Sequence, residues 1–112
     1  MAQEIDVRRL TSDDVPQMRE MLSMLGHAFD DITTYTASQP STHYLADLLS
    51  SDLFIALAAY EDSTVIGGLA AYVLPKFEQP RREIYIYDLA VAESHRRRGV
   101  ATAMIQSLQS LS

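Results

Sequence analysis

The sequence predicts a mixed α+β fold in the order strand, helix, helix, three strands, helix, built on a central, mostly antiparallel sheet with flanking helices. Three observations predict it. Apolar residues recur at helical spacing in Met18, Met21, Leu22, Leu25 and Phe29, and again in Ala101, Met104, Ile105, Leu108 and Leu111. Three strand-like runs, Phe54 to Tyr60, Thr64 to Leu74 and Glu83 to Val91, follow one another with only short turn sequences between them, as in an antiparallel meander. The last run passes through a glycine-containing loop into the final helix, which is half of a β-α-β crossover. With 112 residues, 47% of them hydrophobic, the chain can fill one core, so a single domain over residues 1–112 is expected.

Taken in order, Ile5 and Val7 alternate with charged neighbours and predict a short half-buried strand from Glu4 to Arg9. Thr11-Ser12-Asp13-Asp14 ends it and offers side-chain acceptors and acidic charge to a helix N-terminus, with Pro16 in the first turn and Gly26 weakening the last. Asp30 to Pro40 is rich in turn formers without a clean period and predicts a loop. Ser41 or Thr42 caps a shorter helix carrying Tyr44, Leu45, Leu48 and Leu49. Phe54 to Tyr60 is apolar on both faces, as in a central strand, and Glu61-Asp62-Ser63 turns it into its partner. Gly67-Gly68 marks a bulge or a place where another backbone comes close. Glu83 to Val91 reads as a buried strand, and the last helix starts at about Gly99.

Composition narrows the setting. There is no cysteine, so no disulfide framework and no thiolate metal site, and a reducing cytoplasm is expected. The N-terminus lacks an apolar targeting core, and no stretch approaches the roughly 18 apolar residues of a membrane span, so no membrane partner is expected. A net charge of −6 argues against nucleic acid and suits a cationic small partner.

The chemistry concentrates at the last strand and the loop after it. A strand entering a helix through Arg96-Arg97-Arg98-Gly99-Val100-Ala101-Thr102 presents unpaired backbone amides beside the positive end of a helix dipole, a site suited to phosphate or pyrophosphate. Three cations there oppose the dipole, at about 0.3 to 1 kcal/mol each, unless an anion is bound. Gly99 lets a ligand approach the backbone closely. Asp88 stands in an otherwise apolar strand, either paired for structure or as a carboxylate that holds or deprotonates a cationic substrate. Phe54, Tyr60, Tyr72, Tyr85 and Tyr87 read as core or cleft wall. His27, His43 and His95 show no metal-ligand spacing, so no metal is expected. No Ser-His-Asp arrangement is visible, which favours direct transfer over a covalent enzyme intermediate.

The run Arg96-Arg97-Arg98-Gly99-Val100-Ala101 fits the Arg/Gln-x-x-Gly-x-Gly/Ala signature of the GNAT acetyltransferase superfamily. The stretches Phe54 to Ala59, Leu69 to Arg81 and Glu83 to Val91 resemble the aminoglycoside 3-N-acetyltransferases, the gentamicin-resistance enzymes. The resemblance implies the GNAT acyl-CoA N-acyltransferase fold (β-α-α-β-β-β-α) and transfer of acetyl from acetyl-CoA to an amine of 2-deoxystreptamine. It also implies site residues. Leu89, Ala90 and Val91 would pair with the pantetheine arm, and Arg97, Arg98, Gly99, Val100 and Ala101 would offer amides to the pyrophosphate, supported by the side chains of Arg96 and Thr102. Asp88 would be catalytic beside the reacting amine, a backbone amide near Leu89 would polarise the thioester carbonyl, and Asp30, Asp31, Tyr35 and Glu78 would contact the aminoglycoside.

The family fold continues past the pyrophosphate helix with a parallel strand, a helix and a hairpin, and with the tyrosine that many relatives use to protonate the thiolate. The expectation is that this chain carries only the N-terminal portion of that fold. Its open strand edge is then covered by a second copy, giving a homodimer, or the chain is a fragment of a longer product. Two alternatives stay open: a noncatalytic CoA-binding or dimerising remnant, and an acetyltransferase for another amine such as a polyamine or a protein N-terminus.

Overall fold

The structure, a computed structural model, describes residues 5–111. Strand β1 (Asp6–Arg9) is shorter than predicted, and Glu4 lies outside the described residues. The Asp14 carboxylate does not cap the helix that follows. It turns back to accept from the Thr11 amide at 2.8 Å and the Thr11 hydroxyl at 3.0 Å, closing the turn instead. Helix α1 (Val15–Ala28) has Pro16 in its first turn and buries Val15, Met18, Met21 and Leu25, the stripe its period predicts. Phe29 falls just beyond the helix end and is exposed.

Where the sequence predicts a loop, the structure has a five-residue helix, α2 (Ile32–Thr36). Its first turn is tied by the Thr34 hydroxyl donating to Asp31 Oδ1 at 2.8 Å. It packs so closely on α1 that a Cβ added to Gly26 would stand 3.0 Å from the Tyr35 Cβ. Gly26 is therefore what lets α2 dock. Helix α3 (Thr42–Ser50) is capped by Ser41, whose Oγ accepts from the Tyr44 amide at 3.1 Å, and buries Leu45 and Leu49.

Strands β2 (Phe54–Glu61), β3 (Thr64–Pro75) and β4 (Arg82–Val91) complete an antiparallel sheet of order β1-β2-β3-β4. Asp62 and Ser63 both have positive φ, 50° and 68°, the signature of a two-residue type I′ hairpin whose twist matches the sheet. Helices α1 and α3 cover one face, over Phe54, Ala56, Ala58 and Ala70. Helix α4 (Val100–Leu111) covers the other, with Val100, Met104 and Leu108 on Ile55, Leu57, Leu69 and Ala71.

The register between β2 and β3 slips at Ala59/Tyr60, so the extra residue is Ile66, just before the two glycines. Gly67 and Gly68 themselves face side chains from the two helical layers. A Cβ on Gly67 would lie 2.9 Å from Val100 Cγ1, and one on Gly68 2.5 Å from Met21 Cγ. Strand β4 differs from its reading as buried. None of its residues is fully buried, because among the described residues it pairs only with β3. No helix among the described residues is long and apolar enough to cross a membrane.

Candidate functional site

Strand β4 carries a bulge that decides which way Asp88 faces. Ala71 pairs with Ile86 and Ala70 with Asp88, leaving Tyr87 as the extra residue. Strict alternation would put Asp88 on the face of Ile84 and Ile86. With Tyr87 looped out, the alternation restarts. Leu89 and Val91 join Ile84 against the α4 side, while Asp88, opposite Ala70, and Ala90 turn to the α1 side. There the Tyr35 hydroxyl donates to Asp88 Oδ2 at 3.2 Å. Burial, and then the negative charge of Asp88, push the Tyr35 hydroxyl above its ordinary value, so it remains a donor. The Gln39 side chain holds the Tyr35 carbonyl at 3.0 Å, and Phe29 lies beside the ring at 5.9 Å.

The outer edge of β4 is chemically open. The Ala92 amide donates to the Ile66 carbonyl at 2.7 Å, so alternate residues Ala90 and Asp88 also point their backbone groups into the sheet. Those of Leu89 and Val91 point away from it. Val91 confirms this, since its carbonyl accepts from Arg96 Nε at 3.3 Å.

Beyond Val91 a 3-10 turn, Glu93–His95, leads to a loop in which Arg97 has φ 65° and Gly99 φ 79°. Ala103 donates to the Gly99 carbonyl at 3.0 Å, so the amides of Val100, Ala101 and Thr102 have no partner within the helix. Apart from its chain neighbours, nothing lies within 4 Å of where a Gly99 Cβ would be, so no other element packs against that side of the loop. Left-handed residues beside a helix N-terminus form a concavity of amides suited to an anion. This loop forms one end of a groove of about 490 Å³ that runs along Leu89, Ala90 and Val91 and is walled by Ala28 and Phe29.

Asp88 lines a smaller apolar recess of about 210 Å³, together with Leu22, Leu48, Tyr44, Phe54, Tyr72 and Tyr87 among others. Phe54, Tyr72 and Tyr87 form an aromatic ladder with centroids 5.3 and 5.6 Å apart. Asp88 thus belongs to the aromatic recess, and the residues that follow it on β4, Leu89 to Val91, belong to the groove.

The predicted site residues are mostly brought together. Leu89, Ala90, Val91, Arg96, Arg97, Gly99, Ala101 and Thr102 all line the groove. Val100 instead buries its side chain in the core, leaving only its backbone to the loop, and the Arg98 guanidinium turns to Glu61 at 3.0 Å. Tyr35 reaches Asp88, while Asp31 is engaged by Thr34 and Asp30, two residues past α1, turns the chain with φ 53°. Glu78 is not part of this group. It sits beside Lys76 on the β3–β4 loop, and Asp88 is six residues along β4 from the loop's end, roughly 20 Å at 3.3 Å per residue. Glu83, near the start of β4, accepts from Arg81 at 2.6 Å and from the Tyr85 hydroxyl at 2.7 Å. Sequence reasoning missed Phe29 as a groove wall and the Glu61 carboxylate, which lies 3.1 Å from His95 Nε2. Phe29 carried a signal, since its helical spacing overruns the end of α1; Glu61 carried none.

A model of the acetyltransferase (GNAT) family matches residues 18–111. The chain belongs to this family. A search of curated proteins returned no match for this acetyltransferase. Among solved structures it resembles an aminoglycoside acetyltransferase from an uncultured soil metagenomic sample, at 54% identity and a TM-score of 0.96, over 97% of this chain and 72% of that one. It also resembles a second aminoglycoside acetyltransferase from such a sample, in complex with sisomicin, at 26% identity and a TM-score of 0.87, over 96% of this chain and 68% of that one. A predicted acetyltransferase with acetyl-CoA from Clostridium acetobutylicum, at 19% identity and a TM-score of 0.67 over 96% and 72% of the two chains, shares the fold. Among the described residues the chain has four antiparallel strands and four helices, arranged as in the GNAT fold.

Proposed function

We propose that this acetyltransferase transfers acetyl from acetyl-CoA to the 3-amino group of an aminoglycoside such as gentamicin, by direct attack. The observation that carries this reading is the place of Asp88 on β4, where it lines the aromatic recess directly before the residues that line the groove. Those residues, Leu89 to Val91, line the groove with the anion loop, and the aromatic ladder lines the recess. Similarity to two aminoglycoside acetyltransferases and a net charge of −6 support a cationic acceptor.

In this reading the groove fits a thioester with a pyrophosphate at one end. The outward backbone groups of Leu89 and Val91 pair with the pantetheine arm, and the loop amides from Arg97 to Ala101 hold the pyrophosphate, with Arg96 and Thr102 at its side. Arg96 leaves the Val91 carbonyl as the arm arrives. The acceptor enters as an ammonium ion and cannot attack until it loses a proton to Asp88, directly or through water. Tyr35 orients that carboxylate, and Asp30 and Asp31 face the cationic acceptor. The freed nitrogen bonds to the thioester carbonyl carbon, and the outward Leu89 amide stabilises the negative oxygen that forms. The carbon–sulfur bond then breaks, the nitrogen gives up its second proton to leave a neutral amide, and that proton, directly or through water, neutralises the departing thiolate.

The same reading puts the enzyme in the cytoplasm, as its lack of cysteine allows, and as a homodimer whose partner shields the β4 edge, where Ile86 is 44% exposed. NMR of gentamicin after incubation with enzyme and acetyl-CoA tests the assignment. Acetyl on the 3-amino group is expected. Acetyl on another amine would overturn the position, and acetylation of a polyamine or a peptide N-terminus with none of gentamicin would overturn the acceptor class.

A further inference from the structure

We propose that Glu61 is a positioning residue for the pyrophosphate loop, gripping His95 and Arg98 so that the loop amides from Arg97 onward are held convergent. This rests on the reading of that loop as the coenzyme A site. Glu61 ends β2 immediately before the type I′ turn, so its carboxylate is projected from a fixed point of the sheet. Its Oε1 lies 3.1 Å from His95 Nε2, and its Oε2 accepts from Arg98 at 3.0 Å. The Glu61 and His95 side chains are only 20% and 19% exposed. The second nitrogen of the His95 ring is 2.7 Å from Ser94 Oγ, so the ring is held at both ends.

The two grips fall on either side of Arg97, whose φ of 65° is a conformation that a non-glycine side chain holds only when its surroundings enforce it. Glu61 supplies that enforcement from outside the loop. It also offsets one of three consecutive cations that face a helix N-terminus. Its bonds to His95 and Arg98 keep it ionised, with its pKa below the usual carboxylate value.

Charge and clamp make opposite predictions here, which gives the test its force. A carboxylate near a phosphate site repels the ligand, so if Glu61 acted only through charge, removing it would tighten coenzyme A binding. If it acts by holding the loop, removing it weakens binding. Calorimetric titration of coenzyme A into the wild type, Glu61→Gln and Glu61→Ala decides between them. The clamp predicts dissociation constants raised by roughly tenfold in Glu61→Ala and less in Glu61→Gln, which keeps the shape and one hydrogen-bonding arm. The KM for acetyl-CoA should rise in parallel, with kcat and the acceptor KM within about twofold of wild type.

Unchanged or tighter binding in both variants, beside a wild type that binds, would overturn the role of Glu61 and leave the site itself standing. A fall in kcat at unchanged KM for acetyl-CoA would also overturn it. If Glu61→Ala fails to fold, Glu61→Gln alone carries the sign. A wild type that does not bind coenzyme A would overturn the reading of the loop and the role of Glu61 with it.

Discussion

The Tyr35 hydroxyl donates to Asp88 Oδ2 at 3.2 Å, joining α2 to β4 across 53 positions of sequence. The bond depends on a relay that starts in α1. Arg19 donates to Gln39 Oε1 at 2.9 Å and to the Pro40 carbonyl at 3.0 Å, and Gln39 in turn fixes the Tyr35 carbonyl. The carboxylate at the centre of the proposed chemistry is thus oriented by the helical layer and carried by the sheet.

Asp88→Asn should lower kcat by on the order of 10²- to 10⁴-fold, the usual worth of a positioned proton acceptor. Coenzyme A binding should be retained, because the loop amides are built independently of this side chain. Steady-state rates beside a calorimetric titration check both halves. Tyr35→Phe should cost far less, about tenfold or below, since it removes an orienting bond and leaves the carboxylate in place.

The Tyr35 hydroxyl should ionise above its ordinary value of 10.0, burial being the first cause and the Asp88 charge the second. The tyrosinate absorbance difference between wild type and Tyr35→Phe reports it. In the Asp88→Asn background the midpoint should fall yet stay above 10.0, because burial persists. The raised value means that this bond's stabilisation is complete below 10.0 and is lost as pH rises through the folded-state pKa.

Two glycines should fail in different ways. Gly68→Ala drives a Cβ to 2.5 Å from Met21 Cγ and should destabilise the fold by about 1 to 3 kcal/mol. Gly99→Ala meets no neighbour within 4 Å but forces φ 79° on a residue with a side chain, a cost of about 1 to 2 kcal/mol, and places a methyl at the proposed pyrophosphate site. Thermal melts should register both. Coenzyme A titration should register the second far more strongly.

The bonds to His95 and Arg98 hold the Glu61 carboxyl below its ordinary value of 4.5. A group with a depressed folded-state pKa stabilises above the ordinary value and ceases to do so as pH falls through the folded one. Wild type should therefore be more stable than Glu61→Gln at neutral pH. Denaturant melts at a series of pH values should show the gap closing as pH drops below 4.5.

The long elements were legible because periodicity reports burial. Met18, Met21 and Leu25 announce the core face of α1, and the apolar run from Phe54 announces a strand covered on both sides. Helix α2 was not legible, because five residues are too short to show a period and its stability comes from docking on Gly26. In the site, the loop from Arg96 to Thr102 was visible because cations and a glycine cluster in sequence. The pairing of Glu61 with His95 spans 34 positions and left no local trace. The bulge at Tyr87 lies between. Ile84-Tyr85-Ile86-Tyr87-Asp88-Leu89 alternates plainly up to the aspartate, and only pairing with β3 fixes where the alternation restarts.

Thiol release from acetyl-CoA with and without gentamicin reads the transfer itself, in a chain whose lack of cysteine leaves no protein thiol to interfere. Acetyl transfer to an aminoglycoside through Asp88 should give release that requires the aminoglycoside, saturates with it, and falls with Asp88→Asn. Release at the same rate without an amine, or none above the blank from a protein that binds coenzyme A, would contradict it.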